Sequence, residues 1–289
     1  MLNIRKLTNK TAVANISGAM EADTILKNGR NSKSQTSRSN VKIMFKMQRI
    51  MFLFVAMLFV ALPFGSVNAQ GTITIGGSEG NIGLRAGLNL AKIAGDYDDL
   101  YGDMKFKPGI QLGVVVEFAT NNDNLFIQPG ILFSQMGFKY EEFDSEPDYG
   151  DIRSYSYTLQ QNLNYFQIPV NFLFKHDMGG NKLILQAGPY LGYGLGGKWE
   201  EEDSESWGGS SGTNAIDKES GKIKFGSSKN KDHYKSFDLG LGLGVGLEFS
   251  EIFQIGVGYN LGIADISHIN NFEVKNRSIT FTLTYVLGR

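Results

Sequence analysis

The sequence contains no cysteine, little proline and almost no net charge. The absence of Cys from all 289 residues excludes disulfide bridges, thiol nucleophiles, cysteine-ligated zinc and a lipid-modified N-terminal cysteine. A formal net charge of -1 points to neither nucleic acid nor an anionic surface as a partner. Glycine is abundant, with 36 residues against 6 prolines, a composition that suits close-packed strands and wide loops.

Recognisable catalytic and cofactor motifs are also missing. The sequence has no P-loop, dinucleotide fingerprint or metal-binding motif, so we predict no cofactor. A lipid hydrolase or acyltransferase would need His beside Ser and a carboxylate. His233, Ser236 and Asp238 lie close in sequence, but neighbours on a strand alternate faces. The sequence therefore predicts a protein that is not an enzyme.

Residues 44–69 have the pattern of a cleaved signal peptide. Lys46 and Arg49 precede an apolar run at 50–62, and a small-residue cleavage site ends at Ala69. A membrane anchor is the alternative, but the run is shorter than the ~20 residues that a spanning helix needs. We predict a disordered or untranslated extension at 1–43, a mature chain that begins near Gln70, and a short periplasmic segment at 70–81.

From residue 82 onward the chain alternates apolar and polar residues in segments of about ten, as tilted membrane strands do. In 236–249 one face carries Phe237, Leu239, Leu241, Leu243, Val245, Leu247 and Phe249, and the other is mostly glycine. The segments are 82–91, 107–119, 124–137, 160–175, 182–196, 236–249, 252–264 and 277–287. They predict one all-β domain at 82–289, an eight-stranded antiparallel up-and-down transmembrane β-barrel.

A soluble barrel such as a lipocalin would show the same alternation. Its apolar face would point inward, however, and the glycines at 240, 242, 244 and 246 would form the surface exposed to water, where strands normally carry polar side chains or Thr. In a narrow membrane barrel these glycines line a crowded lumen instead. The glycine face therefore favours the membrane barrel.

The connections between strands support the same topology. Short turns at 121–124, 176–181 and 250–251 alternate with long links at 92–105, 138–159, 197–235 and 265–276, as in outer-membrane barrels. An extra pair of strands around Ile223 to Phe225 within the longest link is an open alternative. Because the number of strands is even, we expect both mature termini in the periplasm.

Four stretches of the barrel resemble the PorT-like outer-membrane β-barrel family of Bacteroidetes. They are the residues 83–89 (GLRAGLN), 128–137 (QPGILFSQMG), 164–169 (NYFQIP) and 187–192 (AGPYLG). The resemblance covers residues 82–289 and implies a barrel in the bacterial outer membrane. It implies no particular activity, because fold alone does not carry function.

Charged residues on the predicted lumen face form the first candidate site. Arg85, Glu117, Asp238 and Glu248 fall on that face, where an isolated charge would be costly and a paired one tolerable. One interpretation is a proton or ion relay. The other, which we favour, is an internal plug of ion pairs and hydrogen bonds in a lumen that side chains fill.

The long links provide a second candidate, a loop surface for binding. It comprises Trp199, Glu201, Asp203, Trp207 and Tyr149. The acidic run could hold Ca²⁺, but it lacks the spacing of an EF-hand loop, so we predict no metal and a solvated loop that is balanced by nearby lysines. Aromatic residues here fit either a binding surface or a membrane-interface belt.

Together these patterns predict a monomeric, integral outer-membrane barrel that contacts membrane lipid and has a structural or interaction role through its outer loops. Envelope proteins are the expected partners, and nucleic acid is not. Two alternatives stay open: an accessory subunit or channel of a secretion or uptake machine, and a lipid-modifying enzyme.

Overall fold

The structure is a computed structural model that describes residues 66–67, 71–75, 78–96, 104–148, 151–207, 214–229, 232–269 and 272–287. The predicted extension at 1–43 and all of the predicted signal peptide except Ser66 and Val67 lie outside these ranges. Within them, no helix is long and apolar enough to cross a membrane.

Eight antiparallel strands form a closed ring in which each strand pairs with its neighbours in sequence and the last pairs with the first. The strands are β1 (Ser78–Gly95), β2 (Lys107–Ala119), β3 (Leu125–Asp148), β4 (Asp151–Asp177), β5 (Asn181–Trp207), β6 (Phe237–Phe249), β7 (Phe253–Gly262) and β8 (Val274–Val286). This is the predicted up-and-down β-barrel. Closure satisfies the backbone groups that an open edge would leave without partners in lipid.

Additional strands extend the ring at both ends. Thr72–Ile75 pairs with the start of β1, and Ser66–Val67 pairs with Ile73 and Thr74. Asn214–Ile223 pairs with the far half of β5. Phe225–Gly226 and Tyr234–Lys235 form a short parallel pair. Part of the predicted segment at 70–81, Thr72–Ile75, therefore folds back on the start of β1.

Three short connections define one end of the barrel, which we call the turn end. They follow Ala119, Asp177 and Phe249. In the last of these, Ser250 and Glu251 have φ values of 51° and 59°, the left-handed conformation at both central positions of a tight turn, and the Ile252 amide donates to Phe249 O at 3.0 Å. The opposite end, where β3, β4 and β5 run far beyond the other strands, is the hairpin end.

The predicted long links at 138–159 and 197–235 are wrong for most of their length. β3 and β4 continue as one hairpin to Asp148 and Asp151, and β5 continues to Trp207 with an added strand, Asn214–Ile223, beside it. The sequence suggested an extra pair of strands around Ile223 to Phe225. An added strand is present, but it covers Asn214–Ile223 and so lies mostly before those residues. These segments are polar on their outward side, which is why they look like loops in the sequence.

The polarity of β3 and β4 inverts along their length. Near the turn end the outward residues of β3 are apolar and those on the lumen side are mostly polar; beyond Ser134 the two sides exchange. Outward residues change from Ile127, Ile131 and Phe133 to Gln135, Lys139 and Glu141, and lumen residues from Gln128 and Ser134 to Met136, Phe138 and Tyr140. Lipid around one part of the strand and water around the other require this inversion.

The largest apolar core therefore lies at the hairpin end, inside the extension of the barrel. Its fully buried members include Phe138, Leu159 and Leu163, and Tyr165 and Ile223 are 2% and 3% exposed. In the part of the barrel nearer the turn end, which we call the lower barrel, the apolar residues face outward instead. Leu243 is 63% exposed and Leu88 is 60% exposed. This orientation excludes the soluble barrel.

Candidate functional site

Three buried ions close the lumen near the turn end. The Lys175 ammonium on β4 lies 2.6 Å from Glu117 Oε1 on β2 and 2.5 Å from Glu248 Oε2 on β6. All three side chains are at most 2% exposed. The ammonium also lies 4.6 Å from the centroid of the Phe126 ring, so an aromatic face completes its environment.

Amide side chains connect these ions to Arg85. Gln254 Nε2 donates to both carboxylates at 2.9 Å. Arg85 donates to Gln128 Oε1 at 2.7 Å and to Thr284 Oγ1 at 2.9 Å, and Gln128 Nε2 lies 3.4 Å from Glu117 Oε2. Two positive and two negative groups thus share one hydrogen-bonded network, the arrangement in which buried charge is tolerated.

Asp238 lies in a separate polar group closer to the hairpin end. Asn276 Nδ2 donates to Asp238 Oδ2 at 2.9 Å and lies 3.2 Å from the Tyr165 hydroxyl. The Tyr190 hydroxyl is 3.3 Å from the same carboxylate oxygen. All four predicted charged residues are in the lumen, but Asp238 does not join the other three. It stands ten residues from Glu248 on β6, which corresponds to roughly 33 Å of strand.

A small polar cavity of about 40 Å³ separates the two groups. Arg85, Gln111, Asn171, Gln186, Tyr190 and Asn260 are among the residues that line it. The volume suffices for two or three water molecules, each of which needs at least about 10–15 Å³. The lumen therefore contains a polar cavity with room for a few water molecules between the two polar groups.

Lumen glycines make room for large aromatic side chains near the hairpin end. These side chains, Tyr165, Tyr190, Phe225 and Tyr234, form what we call the upper plug. The Tyr190 ring lies so close to Gly240 that an added Cβ there would come within 2.4 Å of it. The Phe225 ring approaches Gly194 in the same way, at 2.2 Å. The glycine face that identified the membrane barrel thus also forms notches for aromatic rings.

Phe225 closes the hairpin end of the lumen. Its ring contacts Tyr165 edge-on at 5.3 Å between centroids and lies 6.0 Å from Tyr234. Two histidines hold the segment around it: Lys224 N donates to His233 Nδ1 at 3.1 Å, and His268 Nε2 lies 3.1 Å from Gly226 O. Burial lowers the pKa of both imidazoles below 6.5, which favours their neutral forms.

The residues proposed as a loop surface lie on or near the extended β5. Trp199 packs against the apolar core, while the Tyr155 hydroxyl donates to Asp203 Oδ1 at 2.7 Å. Trp199, Glu201 and Asp203 share one face of the strand. Trp207 ends β5 opposite Arg153, and Tyr149 lies outside the described residues. The surface is therefore a rigid sheet, not the solvated loop that we predicted.

The residues that the sequence offered for catalysis do not come together in the structure. His233 bonds to the backbone of Lys224, whereas Asp238 bonds to Asn276 and Tyr190, so the two do not meet. No group of three or more His, Asp or Glu residues in this part of the chain is placed to hold a metal ion.

Sequence reasoning missed Lys175, the residue at the centre of the ionic network. It occupies a lumen position in the alternation of β4, and two predicted lumen carboxylates required a cation. It stands at the last position of the predicted strand, where a charged residue looks like the start of a turn. The tyrosines of the upper plug gave a weaker signal, because tyrosine also occurs on outward faces.

Comparisons with known proteins agree with this architecture. Residues 68–268 match the sequence profile of the outer membrane protein beta-barrel domain. No curated protein matches the chain. Similar solved structures include Neisserial surface protein A, with 12% identity, a TM-score of 0.31 and coverage of 71% of this chain and 96% of that one.

Another similar structure is Ail, the attachment invasion locus protein of Yersinia pestis, with 13% identity, a TM-score of 0.30 and coverage of 72% of this chain and 97% of that one. The family match spans more than two thirds of the sequence and agrees with the closed ring and its apolar outer surface. The chain belongs to the outer membrane protein beta-barrel domain family and is an integral protein of the outer membrane.

Proposed function

We propose that this protein is a non-conducting barrel that displays its hairpin end outside the cell as a surface for protein partners. The observation that carries the proposal is the double closure of the lumen, by the Lys175 network below and by Phe225 with the apolar core above. A lumen closed at two levels gives solutes no continuous path, so the surface of the hairpin extension is what remains for a partner to use.

We infer the orientation from how far the chain extends beyond the membrane part of the barrel at each end. Short turns of outer-membrane barrels face the periplasm and their long segments face outward, so the turn end and both mature termini would be periplasmic and the hairpin extension would lie outside. The stretches at 83–89, 128–137, 164–169 and 187–192 favour a place in the PorT-like branch of Bacteroidetes within the family.

The hairpin extension has two chemically different faces. In the described part of the chain, the face that continues the lumen side carries seven carboxylates and one guanidinium, together with Tyr155 and Tyr157. Its charged members are Glu142, Asp144, Arg153, Glu201, Asp203, Glu205, Asp217 and Glu219. The opposite face carries four lysines and three glutamates, with ion pairs such as Lys218 to Glu202 at 3.0 Å. A rigid, strongly acidic surface that includes the partly buried Tyr155 is suited to a protein partner of complementary charge.

Single cysteines test the orientation, because the native chain has none. Phe143→Cys on the hairpin extension should react with a membrane-impermeant maleimide on intact cells, since the native side chain there is 72% exposed. Met178→Cys at the turn end, where the native side chain is 60% exposed, should react only after the outer membrane is permeabilised. The reverse pattern would contradict the proposal.

Planar bilayers test the closed lumen. We expect no reproducible conductance steps from the purified wild-type protein under conditions in which a porin of known conductance, inserted in parallel, gives clear ones. Reproducible steps that scale with the amount of inserted protein would favour the channel alternative. Copurification from native membranes would then identify either the partner of the hairpin surface or the larger machine.

A further inference from the structure

Two cationic side chains face each other on the outer surface of the barrel. They lie at the edge of the outward-facing apolar residues, which we call the apolar belt. Arg277 of β8 is directly opposite Lys92 of β1 in the strand register. The preceding outward residues toward the turn end are Ile279 and Leu90, which belong to the apolar belt. Lys92 and Arg277 therefore mark the level at which the barrel surface leaves the hydrocarbon.

Both side chains are half-buried and held in place. Arg277 Nη1 donates to the carbonyl oxygens of Gly262 and Asn276 at 2.5 and 3.0 Å. These bonds fix the guanidinium through one nitrogen. The Lys92 ammonium lies 5.6 Å from the centroid of the Phe106 ring, which itself is 44% exposed. The pair is thus preorganised beside an aromatic ring at the membrane boundary.

Other facing lysines on this surface have carboxylate partners. Lys105 and Lys139 are opposite each other and both bind Glu141. Lys198, opposite Lys222, binds Glu200 at 2.6 Å. In the described residues, no carboxylate forms an ion pair with Lys92 or Arg277. Like charges directly opposite on a sheet are destabilising, so this pair lacks an anion that the other two have.

We propose that Lys92 and Arg277 bind a phosphate group of lipid A in the outer leaflet. The assignment to lipid A rests on the proposed orientation, which places the hairpin end outside. The level of the pair is that of the lipid headgroups. Arginine and lysine together suit a phosphate, the first through its planar fork of donors and the second as a point charge. Basic groups at the membrane boundary recognise anionic headgroups by the same chemistry.

Native mass spectrometry of protein extracted from outer membranes tests this site. Wild-type protein should retain lipid A through mild detergent purification, and the double variant Lys92→Gln/Arg277→Gln should lose at least about tenfold of that occupancy, on the scale of two charge-assisted contacts. The matched control Lys198→Gln/Lys222→Gln, which removes two facing lysines elsewhere on the surface, should retain it. The heat-dependent gel shift of folded barrels shows whether each variant is folded.

Equal retention of lipid A by the wild type and by the folded Lys92/Arg277 variant would overturn the proposal. Selective retention of phosphatidylglycerol, rather than lipid A, would also overturn it. Cysteine labelling reports the orientation separately. A failed lipid experiment with Phe143→Cys still labelled from outside would therefore refute the lipid site and leave the proposed function intact.

Discussion

Replacing Lys175 with methionine is expected to destabilise the folded barrel by about 3–5 kcal/mol, the cost of leaving one side of a buried ion pair without its partner. Methionine keeps most of the side-chain volume but removes the ammonium that lies between Glu117 and Glu248. Both carboxylates would then be in the same confined lumen without that cation. Urea unfolding in lipid vesicles, followed by the fluorescence of Trp199 and Trp207, measures the change.

Two controls separate charge from packing. The triple variant Lys175→Met/Glu117→Gln/Glu248→Gln should recover most of the lost stability, because neutral amides need no cation. Lys182→Met should cost less than Lys175→Met, since Lys182 is 28% exposed and lies 3.9 Å from Glu248. A Lys175→Met variant within about 1 kcal/mol of wild type, well below the cost of a broken buried pair, would show that the network is not a stabilising plug.

Replacing Leu243 with arginine should destabilise the protein by about 2–4 kcal/mol, the cost of a cationic side chain on the lipid face near the bilayer midplane. Leu243 lies near the middle of β6, and 63% of it is exposed. An arginine side chain exposed at this position would cost little in water but much in hydrocarbon. Unfolding in vesicles again provides the measurement.

Ile216→Arg is the matched control. Ile216 is 59% exposed on the strand that flanks β5 in the hairpin extension, so the same substitution at similar exposure should change the stability by no more than about 0.5 kcal/mol. Equal effects at the two positions would mean that β6 and the extension lie in the same environment. This result would contradict a membrane boundary between them. The comparison therefore tests the membrane boundary without reference to any ligand.

The lower barrel was predictable because one rule governs every strand in it. Lipid demands an apolar outward residue at every second position, and Leu239 to Phe249 satisfy this without interruption. The extension was not predictable by that rule. Beyond Ser134 on β3 and before Phe166 on β4, most residues that point outward are polar because they meet water, and a polar stretch after a membrane strand resembles a loop.

The candidate site was predictable in its parts and not in its connections. Alternation placed Arg85, Glu117, Asp238 and Glu248 on the lumen side, but it could not say which of them are at the same height. Height depends on the stagger between strands, which puts Lys175 beside Glu117 and leaves Asp238 with Asn276. Phe225 follows no period at all, because it enters the lumen from a connection rather than from a barrel strand.

The continuity of β3, β4 and β5 across the membrane boundary has a mechanical consequence. About 14 residues of β4 stand beyond the boundary, or roughly 45 Å along the strand at the usual rise per residue, and they share one ladder of backbone hydrogen bonds with the part in lipid. The ladder between β4 and β5 shifts register at Asn164/Tyr165, close to the boundary, and resumes beyond it, so paired strands rather than a flexible linker join the tip to the barrel. A force directed along β4 would load many of these hydrogen bonds in shear. A partner bound at the tip would therefore be held at a nearly fixed height and angle, whereas a flexible loop would let it move.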